Sequence, residues 1–169
     1  MIKRFLLGLL ALVVLAAIGL FALAWRSTID PVAPPQAASF APDLVARGEV
    51  LAGAGYCASC HTARADQPYA GGYAMVTPFG TLYSSNITPD PNTGIGRWSE
   101  AAFVRAMRKG VARDGSHLFP AFPYQHFNLV TDEDLHALYA FVMTRAPVKA
   151  VTPAPDIPFP LNVRALQAG

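Results

Sequence analysis

From Phe5 to Trp25 the chain carries no charged or polar side chain. At about 1.5 Å per residue, a helix over this run is roughly 31 Å long, close to a bilayer hydrocarbon core of about 30 Å. Lys3 and Arg4 precede the run, and Arg26 follows it. Two roles fit: an uncleaved membrane anchor, or a signal peptide cut after Ala22-Leu23-Ala24. The run is longer than the roughly 7–15 apolar residues a signal needs, and Trp25-Arg26 reads as an interfacial pair; both favour the anchor. Either role sends the rest of the chain across the membrane. Lys3 and Arg4 hold the N-terminus in the cytoplasm. A single pass in the inner (cytoplasmic) membrane, with the remainder in the periplasm of a Gram-negative cell, is the expected topology.

Past residue 26 the pattern changes. Residues 27–42 (STIDPVAPPQAASFAP) are rich in Pro, Ala and Ser and predict a flexible linker. Residues 43–147 hold the periodic segments. Asp43 to Ala54 predicts a short helix, with Leu44, Val45, Val50 and Leu51 for its apolar face and Gly53 and Gly55 to end it. Residues 62–97, full of Gly, Pro, Asn and Thr, predict mostly loop. Ser99 is placed to cap a helix running to Lys109, with Phe103 and Met107 at i, i+4. Residues 110–130 predict another loop. Thr131-Asp132-Glu133-Asp134 opens a last helix, with Thr131 as cap and the acids at its positive end, and Leu135, Leu138, Tyr139 and Val142 face the core. Residues 148–169, with Pro at 153, 155, 158 and 160, predict an extended tail. Three short helices and long loops are an all-α domain with too little regular structure to fill its own core. A large flat cofactor would fill it.

Charge changes the choice of partners. The 13 basic residues exceed the 11 acidic ones, but Lys3, Arg4 and Arg26 belong to the apolar segment. Beyond it ten basic residues face eleven acidic ones, which argues against nucleic acid.

The two cysteines lie in Cys57-Ala58-Ser59-Cys60-His61, the C-x-x-C-H pattern of haem c attachment. Two thiols three residues apart reach the two vinyl groups of one porphyrin and form thioethers. The adjacent His61 then supplies the proximal nitrogen to the iron. A zinc site needs further ligands, and there is no second Cys pair. A thioredoxin-like pair would sit in a βαβ pattern, which is not visible. One covalent haem c is the expected cofactor.

The sixth iron ligand is open. Met107 and Met143 fall at apolar helical spacing, where packing explains them. His126 and His117 lie on the loop before the last helix, and Met75 lies on the loop after the haem motif. His126 is the first choice, with Met75 and His117 as alternatives, or an open site. His136 reads as a surface residue. Phe119, Phe122, Tyr124 and Phe127 are expected to wall the haem pocket. Arg105, Arg108, Lys109 and Arg113 would meet an acidic partner or the haem propionates, or form a solvated helix face.

Taken together, GYCASCHTAR, GGYAMVTPFGTLYSSNITPDPNTGIGRWS, FVRAMRKGVARDGSHLFPAFPY, TDEDLHALYAFV and PFPLNVR resemble the cytochrome c subunits of membrane-bound bacterial dehydrogenases, those serving alcohol, aldehyde, gluconate and isoquinoline or nicotinate oxidation. The resemblance covers nearly all of residues 43–164. It implies a class I-like cytochrome c fold with long loops. It also implies a non-catalytic electron-transfer subunit, fed by a dehydrogenase catalytic subunit and emptied into a quinone, another cytochrome or an oxidase. Two departures stand out. Many members carry three haem motifs and this chain carries one. Many have Met in the P-A-M-P-Y loop where this chain has Phe122, which cannot ligate iron. That departure is what brings His126 forward, and bis-His ligation lowers the potential relative to Met/His. A haem-based sensor or haem enzyme with an open iron site is the alternative.

Overall fold

A computed structural model describes residues 2–119 and 121–163. Pro120 and residues 164–169, the end of the proline-rich tail, lie outside the described residues. Helix α1 (Ile2–Ala24) is exposed along nearly its whole length. Its stretch Ile2–Ala22 has a mean hydropathy of 2.9 and buries nothing against the protein. A helix apolar on every side and uncovered suits lipid or a signal sequence. Its last residue, Ala24, is buried against the domain.

Two helices form the frame. In α2 (Pro42–Ala54) proline occupies the first turn, where its missing N–H would be unpaired anyway. In α6 (Asp132–Met143) the Thr131 hydroxyl accepts the Asp134 N–H at 3.2 Å, and three acids occupy the first turn. The two helices cross at Gly48, where a Cβ would run into the Ala137 carbonyl. The Arg47–Asp134 ion pair at 2.6 Å flanks the crossing on the solvent side. The expected apolar face of α2 is only partly the real one: Gly48 and Ala52 are its buried residues, while Val50 is exposed. Close helix approach selects small side chains over large ones.

Between them, Cys57–His61 forms one helical turn, α3. Helix α4 (Glu100–Lys109) has the predicted Ser99 cap, accepting from Ala102 N–H at 3.2 Å. It ends on Gly110 at φ +59°, a left-handed position that favours glycine. A single turn, α5 (Tyr124–Phe127), interrupts the loop before α6.

Three segments differ from expectation. Residues 62–97 contain an antiparallel hairpin, β1 (Ala74–Thr77) with β2 (Gly80–Tyr83), in the register Met75 opposite Leu82. Val76, Thr77, Thr81 and Tyr83 are β-favouring residues around a Pro-Phe-Gly turn. The tail is extended, as expected, yet pinned. Thr81 N–H donates to the Asp156 carbonyl at 3.1 Å, the reverse bond is 2.9 Å, and Ile157 is buried. The third is residues 27–42, read as a flexible linker. The chain there lies on the domain: Ile29 N–H donates to Arg113 O at 2.8 Å and Val32 N–H to Arg97 O at 3.0 Å. The Thr28 hydroxyl donates to Asp114 O at 3.0 Å. Prolines set this stretch extended, and an extended strand offers its amides to carbonyls it passes.

The basic cluster is largely engaged inward. Arg105 donates to Ser27 O (2.7 Å), Ala112 O (2.5 Å) and Arg113 O (3.0 Å). Arg113 donates to Ile29 O at 3.1 Å, and Arg108 to Val130 O and Asp132. Within the cluster, Lys109 is exposed.

Candidate functional site

The α3 turn lies on the wall of a cavity of about 620 Å³, within the range of about 300–1,000 Å³ usual for ligand sites. Cys57, Cys60 and His61 all contribute to the wall. Tyr56, just before the turn, has φ +55°, a left-handed residue that separates α2 from the cysteine turn. Cys57 and Cys60 are not joined as a disulfide. Burial pushes the Cys57 thiol above its ordinary value.

His61 is held on two sides. Its carbonyl accepts Gly71 N–H at 2.8 Å, and its Nδ1 lies 2.7 Å from Ser85 O. A carbonyl only accepts, so Nδ1 carries the proton and Nε2 keeps its lone pair. Burial also lowers the imidazole pKa, which keeps the ring neutral, the form that binds metal. Gly71 is required here: a Cβ would collide with Ser85.

The loop behind His61 is held by a buried polar network rather than by secondary structure. Asn86 Nδ2 donates to Val148 O at 2.7 Å and to Thr93 Oγ1 at 3.1 Å. Its Oδ1 accepts Thr88 N–H at 2.9 Å and Thr88 Oγ1 at 2.7 Å. Val148 N–H returns to Thr88 Oγ1 at 3.1 Å, and Ala150 N–H to Thr93 Oγ1 at 3.0 Å. Thr93 donates to Asp90 through both its N–H and its hydroxyl. The Asn-Ile-Thr-Pro-Asp loop is thereby sewn to the start of the tail.

The remaining wall is mostly carbon. Phe103, Ala106 and Met107 come from α4, Leu138 and Val142 from α6, and Leu118, Phe119 and Phe122 from the 110–130 loop. Phe122 stacks on Phe127 at 5.5 Å between centroids. Of the expected aromatic wall, Phe119, Phe122 and Phe127 line the cavity. Tyr124 does not: its ring covers Gly110, where a Cβ would clash with it.

The structure separates the ligand candidates. His126 is exposed and is not part of the cavity wall. Neighbours on a helical turn point about 100° apart, and Phe127 takes the inward position on α5. His117 is also off the wall; its Nε2 lies 2.7 Å from Ala24 O. Met75 is on the wall, and so is Met107, which the sequence assigned to packing alone. Its spacing of four from Phe103 was the available signal, since both share one face of α4. His136 pairs with Glu100 at 2.9 Å on the surface.

A cysteine pair and a neutral, oriented imidazole on the wall of a carbon-lined cavity of this size define a c-type haem-binding domain, and the residues fit that group. The chain belongs to the cytochrome c family: residues 45–146 match the family model described as cytochrome c. It is similar to a nicotinate dehydrogenase subunit of Pseudomonas putida, 55% identical over 164 residues, 96% of this chain and 14% of that protein. It is 52% identical over 122 residues to the gluconate 2-dehydrogenase cytochrome c subunit of Pantoea cypripedii, 72% of this chain and 28% of that one. It is 45% identical over 138 residues to the fructose dehydrogenase cytochrome subunit of Gluconobacter japonicus, covering 80% and 28%. The chain thus spans less than a third of the length of these relatives. Family membership makes haem c the cofactor and electron transfer the work of the domain.

Proposed function

We propose that this chain carries a single haem c, joined by thioethers to Cys57 and Cys60 and ligated by His61, and relays electrons from a periplasm-facing dehydrogenase to the respiratory chain. Its α1 helix anchors it in the inner membrane. The observation that carries this reading is the Cys57–His61 turn on the carbon-lined cavity, with Nδ1 of His61 committed to Ser85 O. When bound, the haem supplies an iron that cycles between ferric and ferrous states. The chain's own residues hold that group, orient the proximal imidazole and keep water from the iron through the walls of α4, α6 and the side chains of Leu118, Phe119 and Phe122. The names of the relatives, subunits of dehydrogenases, support a dehydrogenase catalytic subunit as electron donor; a quinone, a second cytochrome or an oxidase is the acceptor in this reading.

For the sixth position, the thioethers of Met75 and Met107 replace His126 as our first choice, because both reach the cavity wall and His126 does not. Sulfur ligation raises the reduction potential relative to bis-His. Purifying the tagged protein in mild detergent, with mass spectrometry of the chain and of whatever accompanies it, tests the whole reading. We expect one haem per chain and a dehydrogenase in stoichiometric amount. The second reading, a sensor or haem enzyme with an open iron, draws on Phe122 standing where a ligand would come from. Carbon monoxide decides: the carrier reading expects a low-spin ferrous haem that resists it, and ready binding by the wild type would establish the open site.

A further inference from the structure

The end of α1 and the haem cavity are joined through one short loop. His117 Nε2 meets the Ala24 carbonyl at 2.7 Å, and the next two residues, Leu118 and Phe119, line the cavity. Ala24 is buried at the end of a helix otherwise exposed to its surroundings. Arg105 links the same parts a second time. One of its nitrogens donates to Ser27 O, and another to Ala112 O, itself a residue of the cavity wall. Thr28, Ile29 and Val32 add bonds to Asp114, Arg113 and Arg97. A tether of Pro and Ala held at so many points no longer behaves as a free chain.

Trp25, exposed, and Arg26 follow the apolar stretch directly. Such a pair sits at headgroup depth. Because His117 is bonded to the residue before Trp25, its loop must lie at nearly the same depth.

We propose that residues 24–32 are a docked strap that fixes the haem domain on its anchor in one orientation, with loop 110–119 resting on the lipid headgroups and the Leu118–Phe119 wall of the cavity turned to the bilayer surface. Arg105 is the positioning residue, joining strap to cavity wall. The orientation rests on α1 being retained as an anchor; the docking of 27–32 does not.

Hydrogen exchange on the full-length, haem-loaded protein in phosphatidylethanolamine–phosphatidylglycerol nanodiscs reads the strap directly. The Ile29 and Val32 amides are expected to exchange slowly, and Arg105→Ala to speed them by about tenfold or more while leaving the haem spectrum unchanged. Thr28→Ala gives a milder acceleration and serves if the arginine variant does not fold. Exchange at free-peptide rates in the wild type overturns the strap. A spin label at Ser116→Cys is expected to be relaxed by lipid-soluble oxygen more than one at Asp66→Cys; equal, water-like relaxation at both overturns the orientation. A mature chain that begins after Ala24 overturns the anchor and the lipid contact together, and amide protection in that shortened protein still reads docking separately.

Discussion

Asn86 and Asp90 hold a loop that has no regular structure of its own. Replacing Asn86 by Ala strands the buried Thr88 N–H and leaves the Val148 carbonyl only the longer bonds from Thr88 Oγ1 (3.4 Å) and Thr93 Oγ1 (3.5 Å). At about 1–3 kcal/mol per stranded group, we expect a loss on the order of 2–4 kcal/mol in urea unfolding of the haem-loaded protein, with the haem still attached. Asp90 accepts from Thr93 Oγ1, Thr93 N–H and Asn92 N–H, and these bonds hold its carboxyl below the usual carboxylate value. A depressed folded-state pKa stabilises the fold above the unfolded value, about 3.9, and that contribution fades as pH falls through the folded value. The stability gap between wild type and Asp90→Asn is therefore expected to be full at pH 7 and to shrink below about pH 4. At this scale the chemistry was readable where it is local. Cys57, Cys60 and His61 lie within five residues, so their spacing alone brought them forward as candidates, and the structure sets all three on the cavity wall. Whether His126 reaches the cavity depends on which face of a single helical turn points inward, and there Phe127 lines the wall, stacked on Phe122.

Among the elements, the capped helices were legible and the crossings were not. Ser99 and Thr131 cap α4 and α6 as their sequence positions predict, because a cap is an interaction over three residues. The crossing of α2 with α6 depends on Gly48, which carries no signal of its own within a helical stretch. Gly48→Ala forces a methyl against the Ala137 carbonyl and the Phe141 Cβ. With backbone on one side and core on the other, it cannot be relieved by a rotamer change. The expected cost lies toward the top of the range of about 1–3 kcal/mol for overpacking, read as a lower unfolding midpoint. The β1–β2 hairpin was hidden in a run of Gly and Pro that reads as loop. Its lasting order comes from a tail residue, Asp156, whose distance in sequence from Thr81 no local pattern reveals.

For the molecule as a whole, the cavity sets the energetics. It opens to solvent and is walled mostly by carbon, so a haem-free chain must flood its centre or collapse around it. Changing Cys57 and Cys60 to Ala together is expected to give a chain that keeps much of its helical circular dichroism, loses its near-ultraviolet signal and binds ANS. A native-like near-ultraviolet spectrum in that variant would count against the haem as core. The sequence anticipated this organisation through its shortage of regular structure. It did not anticipate the path of residues 27–42, whose partners are backbone carbonyls more than sixty residues away.

The three carbonyls gripped by Arg105 also decide how open the joint between α1 and the domain is to cutting. Arg105 holds the Ser27, Ala112 and Arg113 carbonyls together, so residues 27–32 lie against the domain instead of hanging free. A protease needs its substrate as a free extended strand, which a segment bonded at Thr28, Ile29 and Val32 does not offer. Resistance to cutting at residues 27–32 is thus a direct report that the segment is docked.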